Sequence, residues 1–110
     1  MFRIVRKELS DGVRFDAQRD NGDILGSAFV GLTEDRVVLD LIQTNLGERE
    51  KGIGGALLAA VIDWGRLQGV ERLTGDFAPD CTINPAKLMG WYWKRGIEVD
   101  GNGKLVGEVK

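Results

Sequence analysis

Histidine is missing from this chain of 110 residues, and cysteine occurs only once, as Cys81. Without histidine, neither a His-containing zinc site nor a Ser–His or Cys–His nucleophile pair can form. A single cysteine cannot form an internal disulfide, which favours a cytoplasmic location. We interpret Cys81 as an unreactive loop residue, because a low thiol pKa requires a nearby cation or a helix N-terminus.

Long apolar runs and an excess of positive charge are missing as well. No stretch approaches the ~20 apolar residues that a membrane-spanning helix needs, and residues 1–7 lack the core of a signal peptide. The formal net charge of −2 provides no basic field, so neither nucleic acid nor membrane is expected as a partner. The length and the 43% hydrophobic content fit a single globular domain over residues 1–110.

Alternating apolar and polar residues predict four strands in the first part of the chain. These strands span residues 2–8, 13–19, 24–32 and 37–44. Asn21-Gly22 is typical of a hairpin turn, since both residues tolerate a positive φ. Residues 37–42 are apolar except for Asp40, which predicts a central strand that is buried on both faces.

The period becomes helical after the fourth strand. Apolar residues recur at helical spacing over residues 52–68, and Gly69 is a natural end for this helix. A short strand is predicted over residues 70–77. Asn84-Pro85 is typical of a helix start, with Asn as the cap and Pro at the first position.

The predicted second helix ends at Gly96, and a hairpin closes the chain. Its strands, at residues 97–99 and 105–106, flank a sequence rich in turn-forming residues. The complete order is four strands, helix, strand, helix and hairpin. This order predicts an α+β fold with a mixed, mostly antiparallel central sheet.

The junction between the fourth strand and the first helix reads Arg49-Glu50-Lys51-Gly52-Ile53-Gly54. The first amides of a helix lack intrahelical acceptors, and glycines let an anion approach them. The helix dipole adds partial positive charge there, so the segment predicts a pyrophosphate site. The alternative is that the glycines only form a tight turn. A Walker A loop is excluded because no Gly-Lys-Ser/Thr follows.

This segment resembles the Arg-x-x-Gly-x-Gly signature of the GNAT acyltransferases. Ala56-Leu57-Leu58 is similar to the family's usual helix opening. Tyr92-Trp93-Lys94-Arg95-Gly96-Ile97 resembles the family's Tyr-x-x-x-Gly-Phe motif, with Ile97 in place of the usual Phe. Because both motifs occur on the expected elements and in the expected order, the resemblance implies a GNAT-like fold and acetyl-coenzyme A as cofactor.

The resemblance also implies the cofactor-binding residues. The strand carrying Ile42 and Thr44 would splay from the following strand and admit the pantetheine arm. The residues expected around the pyrophosphate are Arg49, Lys51, Gly52, Ile53 and Gly54. In this family the acyl group passes directly to an amine, which implies a small-molecule or peptide amine as the acceptor.

Two residues are predicted to be catalytic. By the motif match, Tyr92 would protonate the departing thiolate, and a phenol of pKa ~10 is a fair acid for a thiolate of pKa ~8.5. The alternative for Tyr92 is a core aromatic. Asp40 is the expected base, because burial within its apolar run would raise its pKa. Asp76 and Asp80 are alternatives for this role or for binding a cationic acceptor, and Asp40 could instead face solvent.

The chain departs from the family pattern at its start. GNAT domains carry two helices between their first and second strands, but here residues 8–13 leave room only for a turn. The acceptor groove is therefore expected to be open or to be completed in a homodimer. The main prediction is an N-acetyltransferase. The alternatives are a non-catalytic acyl-CoA-binding or regulatory module and an interaction domain with a merely structural glycine turn.

Overall fold

The computed structural model describes residues 2–45, 52–79 and 83–109. Within these ranges, seven strands form one sheet in the order β1-β2-β3-β4-β5-β7-β6. The elements are β1 (Phe2–Leu9), β2 (Gly12–Arg19), β3 (Ile24–Leu32), β4 (Arg36–Thr44), α1 (Ile53–Leu67), β5 (Arg72–Asp76), α2 (Pro85–Trp93), β6 (Ile97–Val99) and β7 (Lys104–Glu108). Only the β4–β5 pairing is parallel in this part of the chain. The predicted α+β class and element order are confirmed.

Helix α1 packs against the sheet through one apolar face. Its buried residues recur at helical spacing and are Ile53, Leu57, Leu58, Val61, Trp64 and Gly65. The ring of Trp64 contacts Phe15 of β2 edge-on, with 6.1 Å between ring centroids. A Cβ at Gly65 would lie 2.7 Å from Cγ2 of Val37, so glycine permits the close approach of α1 to β4. The tight packing fixes where α1 begins relative to the end of β4.

Strand β4 stops pairing with β5 halfway along its length, whereas its pairing with β3 continues to Thr44. Leu39 and Leu41 pair with successive residues of β3, so Asp40 between them is an extra residue in a β-bulge. The parallel pairing of β4 with β5 ends at Leu39 and Gly75. Residues 40–44 of β4 extend beyond this last pair without a partner in β5, and we call this unpaired interval between the two strands the gap.

The prediction that β4 is buried on both faces is wrong for its second half. Val37 and Leu39 are buried on the side of α1, but Asp40 is exposed and Leu41 is 45% exposed. The reason is that neither described helix covers the opposite face of the sheet at this point. β1 ends at Leu9 and β2 begins at Gly12, so a tight turn takes the place of any covering helices.

The same uncovered face holds a buried carboxylate. Asp16 of β2 accepts hydrogen bonds from the Ser27 hydroxyl at 2.7 Å and from Arg14 Nε at 2.6 Å. Lys7 Nζ lies 3.5 Å from its second carboxylate oxygen. Burial opposes ionisation, but the hydrogen bonds from Ser27 and Arg14 outweigh it and hold the pKa of Asp16 below its ordinary value. Asp16 therefore stays charged and ties β1, β2 and β3 together.

Candidate functional site

Helix α1 begins at Gly52, which serves as its N-cap. Gly52 has a left-handed backbone, with φ 80° and ψ 6°, and no side chain caps the helix. Glycine adopts this conformation at little cost, because it has no Cβ. The Ala56 amide donates to the Gly52 carbonyl at 3.0 Å. No acceptor is found within the described ranges for the preceding amides of Ile53, Gly54 and Gly55, which is the usual state of a helix start.

Three elements meet at Gly54. A Cβ at this position would lie 3.2 Å from Cζ2 of Trp91 on α2 and 3.7 Å from Oγ1 of Thr44 at the end of β4. The absence of a side chain at Gly54 therefore lets β4, α1 and α2 approach one another closely. The structure thus brings predicted residues Thr44, Gly52 and Gly54 together at one end of the sheet.

The remaining predicted cofactor residues contribute differently. The side chain of Ile53 is 2% exposed and belongs to the core, so only its backbone amide faces the site. Ile42 is half-buried and packs against the same core. Arg49 and Lys51 lie outside the described residues. The site therefore consists of main-chain groups more than of side chains.

Helix α2 starts as the sequence predicts. The side chain of Asn84 accepts hydrogen bonds from the amides of Ala86 and Lys87 at 2.9 and 3.2 Å, and Pro85 is the first helical residue. Helix α2 ends at Trp93, and Gly96 just beyond it has a φ of 80°. This turn returns the chain into β6.

Tyr92 on α2 is almost completely buried among aromatic rings. It is 4% exposed and contacts Trp91 and Phe77 edge-on, with centroid separations of 5.1 and 6.5 Å. Burial raises its pKa above the ordinary value. Among the described residues, Oδ2 of Asp16 is the only side-chain oxygen or nitrogen that is buried from solvent and has no hydrogen-bond partner. The Tyr92 hydroxyl also has no hydrogen-bond partner among these residues. Because it is not such a buried atom, it reaches solvent-accessible space.

Titration of the tyrosine tests this environment directly, because Tyr92 is the only tyrosine in the sequence. We expect the tyrosinate absorbance of the native protein to appear at higher pH than in denaturant, where the pKa is ~10. Since the folded state holds the phenolic proton more tightly, the free energy of unfolding should fall as the pH rises above ~10. Equal midpoints in the native and denatured protein would contradict the burial of the phenol.

Asp40 lies at the opening between β4 and β5 but is exposed. Burial therefore does not provide the reason given above for a base at this position, and Oδ2 of Asp40 lies 4.0 Å from a Cβ built at Gly31 of β3, on the side away from β5. Asp76 pairs with Lys104 at the end of β5. Asp80 and Cys81 lie outside the described residues.

Sequence reasoning did not single out Arg95, which lies over the start of α1. Its Nη1 donates to the Trp91 carbonyl at 3.0 Å, and its guanidinium stacks on the Trp91 ring at 4.1 Å from the centroid. A Cβ at Gly55 would lie 3.1 Å from Arg95 Nη2. The spacing of an aromatic residue and an arginine four positions apart near a helix end is the only signal in the sequence for this contact.

The described part of the chain contains no cluster of three or more His, Cys, Asp or Glu residues able to hold a metal ion. None of its helices is long and apolar enough to cross a membrane.

Comparison by sequence finds nothing: no protein-family model and no curated protein matches this chain. Solved structures do match its fold. A protein from Klebsiella pneumoniae described as an acyl-CoA N-acyltransferase matches with a TM-score of 0.81 and 14% identity, over 100% of this chain and 99% of that one. An IAA acetyltransferase from Bacillus cereus matches with a TM-score of 0.80 and 15% identity, over 98% and 99%.

A longer protein matches over most of the same elements. It is described as a GNAT-family acetyltransferase from Desulfovibrio desulfuricans, and it matches with a TM-score of 0.73 and 24% identity, over 91% of this chain and 71% of that one. At these identities the matches establish a shared fold.

Proposed function

We propose, taking the GNAT fold of this chain as the premise, that the protein is an N-acetyltransferase that uses acetyl-CoA. One observation carries the proposal: the amides of Ile53, Gly54 and Gly55 lack acceptors within the described ranges and lie at the Thr44 end of β4, beyond its last pair with β5. A helix start of this kind binds phosphate groups. The adjoining gap suits an extended arm that leads from the phosphates towards the middle of the sheet.

The residues at the site fit such a ligand. Gly52 leaves the approach to the first amides of α1 free of its own side chain, and nothing lies within 4 Å of a Cβ there; Gly54 lets Thr44 lie close to the same amides. Thr44 lies between the start of α1 and the gap, where its hydroxyl can bind a polar group of the arm. In the proposal, Arg49 and Lys51 add positive charge beside the phosphates.

Acetyl-CoA supplies an activated acyl group as a thioester. The acceptor nitrogen forms the new C–N bond at the carbonyl carbon, and the C–S bond breaks. Tyr92 gives its proton to the departing sulfur; the phenol is protonated at neutral pH, and the pKa raised by burial makes it a weaker acid than a free phenol. The proton lost by the amine passes to Asp40 or directly to water at the exposed opening. Asp40 acts in this scheme as an accessible carboxylate and not as a buried one.

The lack of helices between β1 and β2 is compatible with activity in this proposal. The uncovered sheet face argues for the alternative, a non-catalytic acyl-CoA-binding module. However, the match to the Bacillus cereus acetyltransferase covers 99% of that chain, so that protein has few residues left that could form additional helices over the same sheet face. We therefore favour catalysis at an open groove.

A second copy of the chain is the proposed cover for the uncovered face, where Leu41 and Val106 are 45% and 50% exposed. Sedimentation equilibrium that gives the mass of one chain at all concentrations would contradict this part of the proposal.

The activity is tested by following the release of CoA thiol from acetyl-CoA with a panel of small amines, peptide N-termini and lysine peptides. A Cys81→Ser variant removes the protein's own thiol from the readout, because Cys81 is the only cysteine. We expect release that depends on the amine and the enzyme. Saturable binding of acetyl-CoA without transfer to any amine would instead support the binding module.

A further inference from the structure

Arg95 lies against the first turn of α1, where a cation in addition to Arg49 and Lys51 would meet the phosphates of the donor. We propose that Arg95 is a phosphate-binding residue, so that α2 as well as α1 selects a phosphorylated thioester over an unphosphorylated one. This inference rests on the proposed function, since it assigns a further ligand to the same site.

The guanidinium of Arg95 is fixed in orientation by Trp91. One nitrogen, Nη1, is held by the Trp91 carbonyl, and the plane lies on the Trp91 ring. The other two nitrogens face the start of α1, because Nη2 and Nε lie 3.1 and 3.6 Å from a Cβ built at Gly55. Neither has a hydrogen-bond acceptor in the described part of the chain. These two donors therefore lie against Gly55 in the first turn of α1, beside the amides that lack acceptors.

Electrostatics makes this placement unusual for a purely structural arginine. The N-terminus of a helix carries partial positive charge and repels a cation. A carboxylate between the guanidinium and the helix N-terminus would offset this repulsion, but no Asp or Glu pairs with Arg95 among the described residues. A phosphate resolves the conflict, because the guanidinium fork and the helix amides are both donors and can bind one anion together.

The chain offers a matched control at the next position. Lys94 is exposed, carries the same charge and lies in the same turn after α2. Among the described residues no hydrogen bond or ion pair joins the Lys94 side chain to α1, whereas Arg95 lies against Gly55. A change at Lys94 alters the net charge as much as a change at Arg95, so it separates a specific contact from a general loss of positive charge.

The test is calorimetric titration of the wild type, Arg95→Ala, Arg95→Lys and Lys94→Ala with acetyl-CoA, S-acetyl-pantetheine and inorganic pyrophosphate. We expect Arg95→Ala to weaken acetyl-CoA and pyrophosphate binding about 10–100-fold, the range for loss of charge-assisted hydrogen bonds. Binding of S-acetyl-pantetheine should not change, and the melting temperature should fall by no more than about 8 °C, because the variant loses one exposed hydrogen bond and the stacking on Trp91. Arg95→Lys should restore part of the affinity, and Lys94→Ala should stay within about twofold of the wild type, since an exposed charge contributes little.

Each outcome bears on one claim or the other. Unchanged or tighter binding of acetyl-CoA by Arg95→Ala would overturn the inference and leave the proposed function in place, and tighter binding would show that the guanidinium obstructs the site. If the wild type binds pyrophosphate in an Arg95-dependent way but does not bind acetyl-CoA, the inference stands as an anion site and the proposed function fails. A wild type that binds neither probe refutes both.

Discussion

Replacing Gly52 by aspartate is expected to weaken the binding of acetyl-CoA about 100-fold. A carboxylate at the N-cap lies roughly 5 Å from the proposed phosphates, and at an effective dielectric constant of ~20 each such charge pair costs about 3 kcal/mol. Space is not the obstacle, since nothing lies within 4 Å of a Cβ at this position. Calorimetric titration of the variant and the wild type measures the loss.

Gly69→Asp is the matched control for this variant. Gly69 has a φ of 82° against 80° for Gly52, and its Cβ would also meet nothing within 4 Å. Both substitutions therefore carry a similar backbone cost of about 1–2 kcal/mol, with a small further cost for a negative charge at the C-terminal end of α1. Only Gly52→Asp should lose affinity. Equal losses in both variants would mean that helix stability, and not an anion site, explains the effect.

The substitution Tyr92→Phe, which removes only the hydroxyl oxygen, is expected to lower kcat for acetyl transfer about 100-fold or more. This is the usual range for the loss of a general acid. Phenylalanine keeps the ring that packs on Trp91 and Phe77. The hydroxyl has no described hydrogen-bond partner, so the free energy of unfolding should change by less than about 0.5 kcal/mol. Steady-state kinetics of Tyr92→Phe with saturating acceptor measures the effect.

The apparent affinity for acetyl-CoA separates catalysis from binding in this variant. An interaction made only in the transition state lowers kcat and leaves the binding of the donor unchanged. We therefore expect the same Kd for acetyl-CoA in Tyr92→Phe and the wild type. Full activity in the variant would refute the role of Tyr92 as the acid, and a large rise in Kd with unchanged kcat would reassign its hydroxyl to donor binding.

Features encoded by neighbouring residues could be predicted from the sequence. Gly52 and Asn84 mark the two helix starts through backbone and capping preferences that depend on only a few adjacent positions. The hairpin between β2 and β3 follows from its Asn-Gly turn in the same way. These local signals were enough to fix the order of elements and the α+β class, and so the place of the glycine turn at the end of β4.

Features that depend on what covers an element could not be predicted in this way. The apolar run of β4 has the pattern of a strand buried on both faces, but Asp40 and Leu41 are exposed because no described element packs over them. The bulge at Asp40 is a property of the pairing between β3 and β4. Arg95 was missed because its contact with Gly55 depends on the packing of α2 beside α1.

The most direct test of the account is an amide-resolved NMR titration of the protein with acetyl-CoA. If the start of α1 binds the pyrophosphate, the N–H signals of Ile53, Gly54 and Gly55 should move together and saturate with one Kd, while that of Gly69 stays in place. A titration in which these three signals do not move, whether or not acetyl-CoA binds elsewhere, would contradict the central claim.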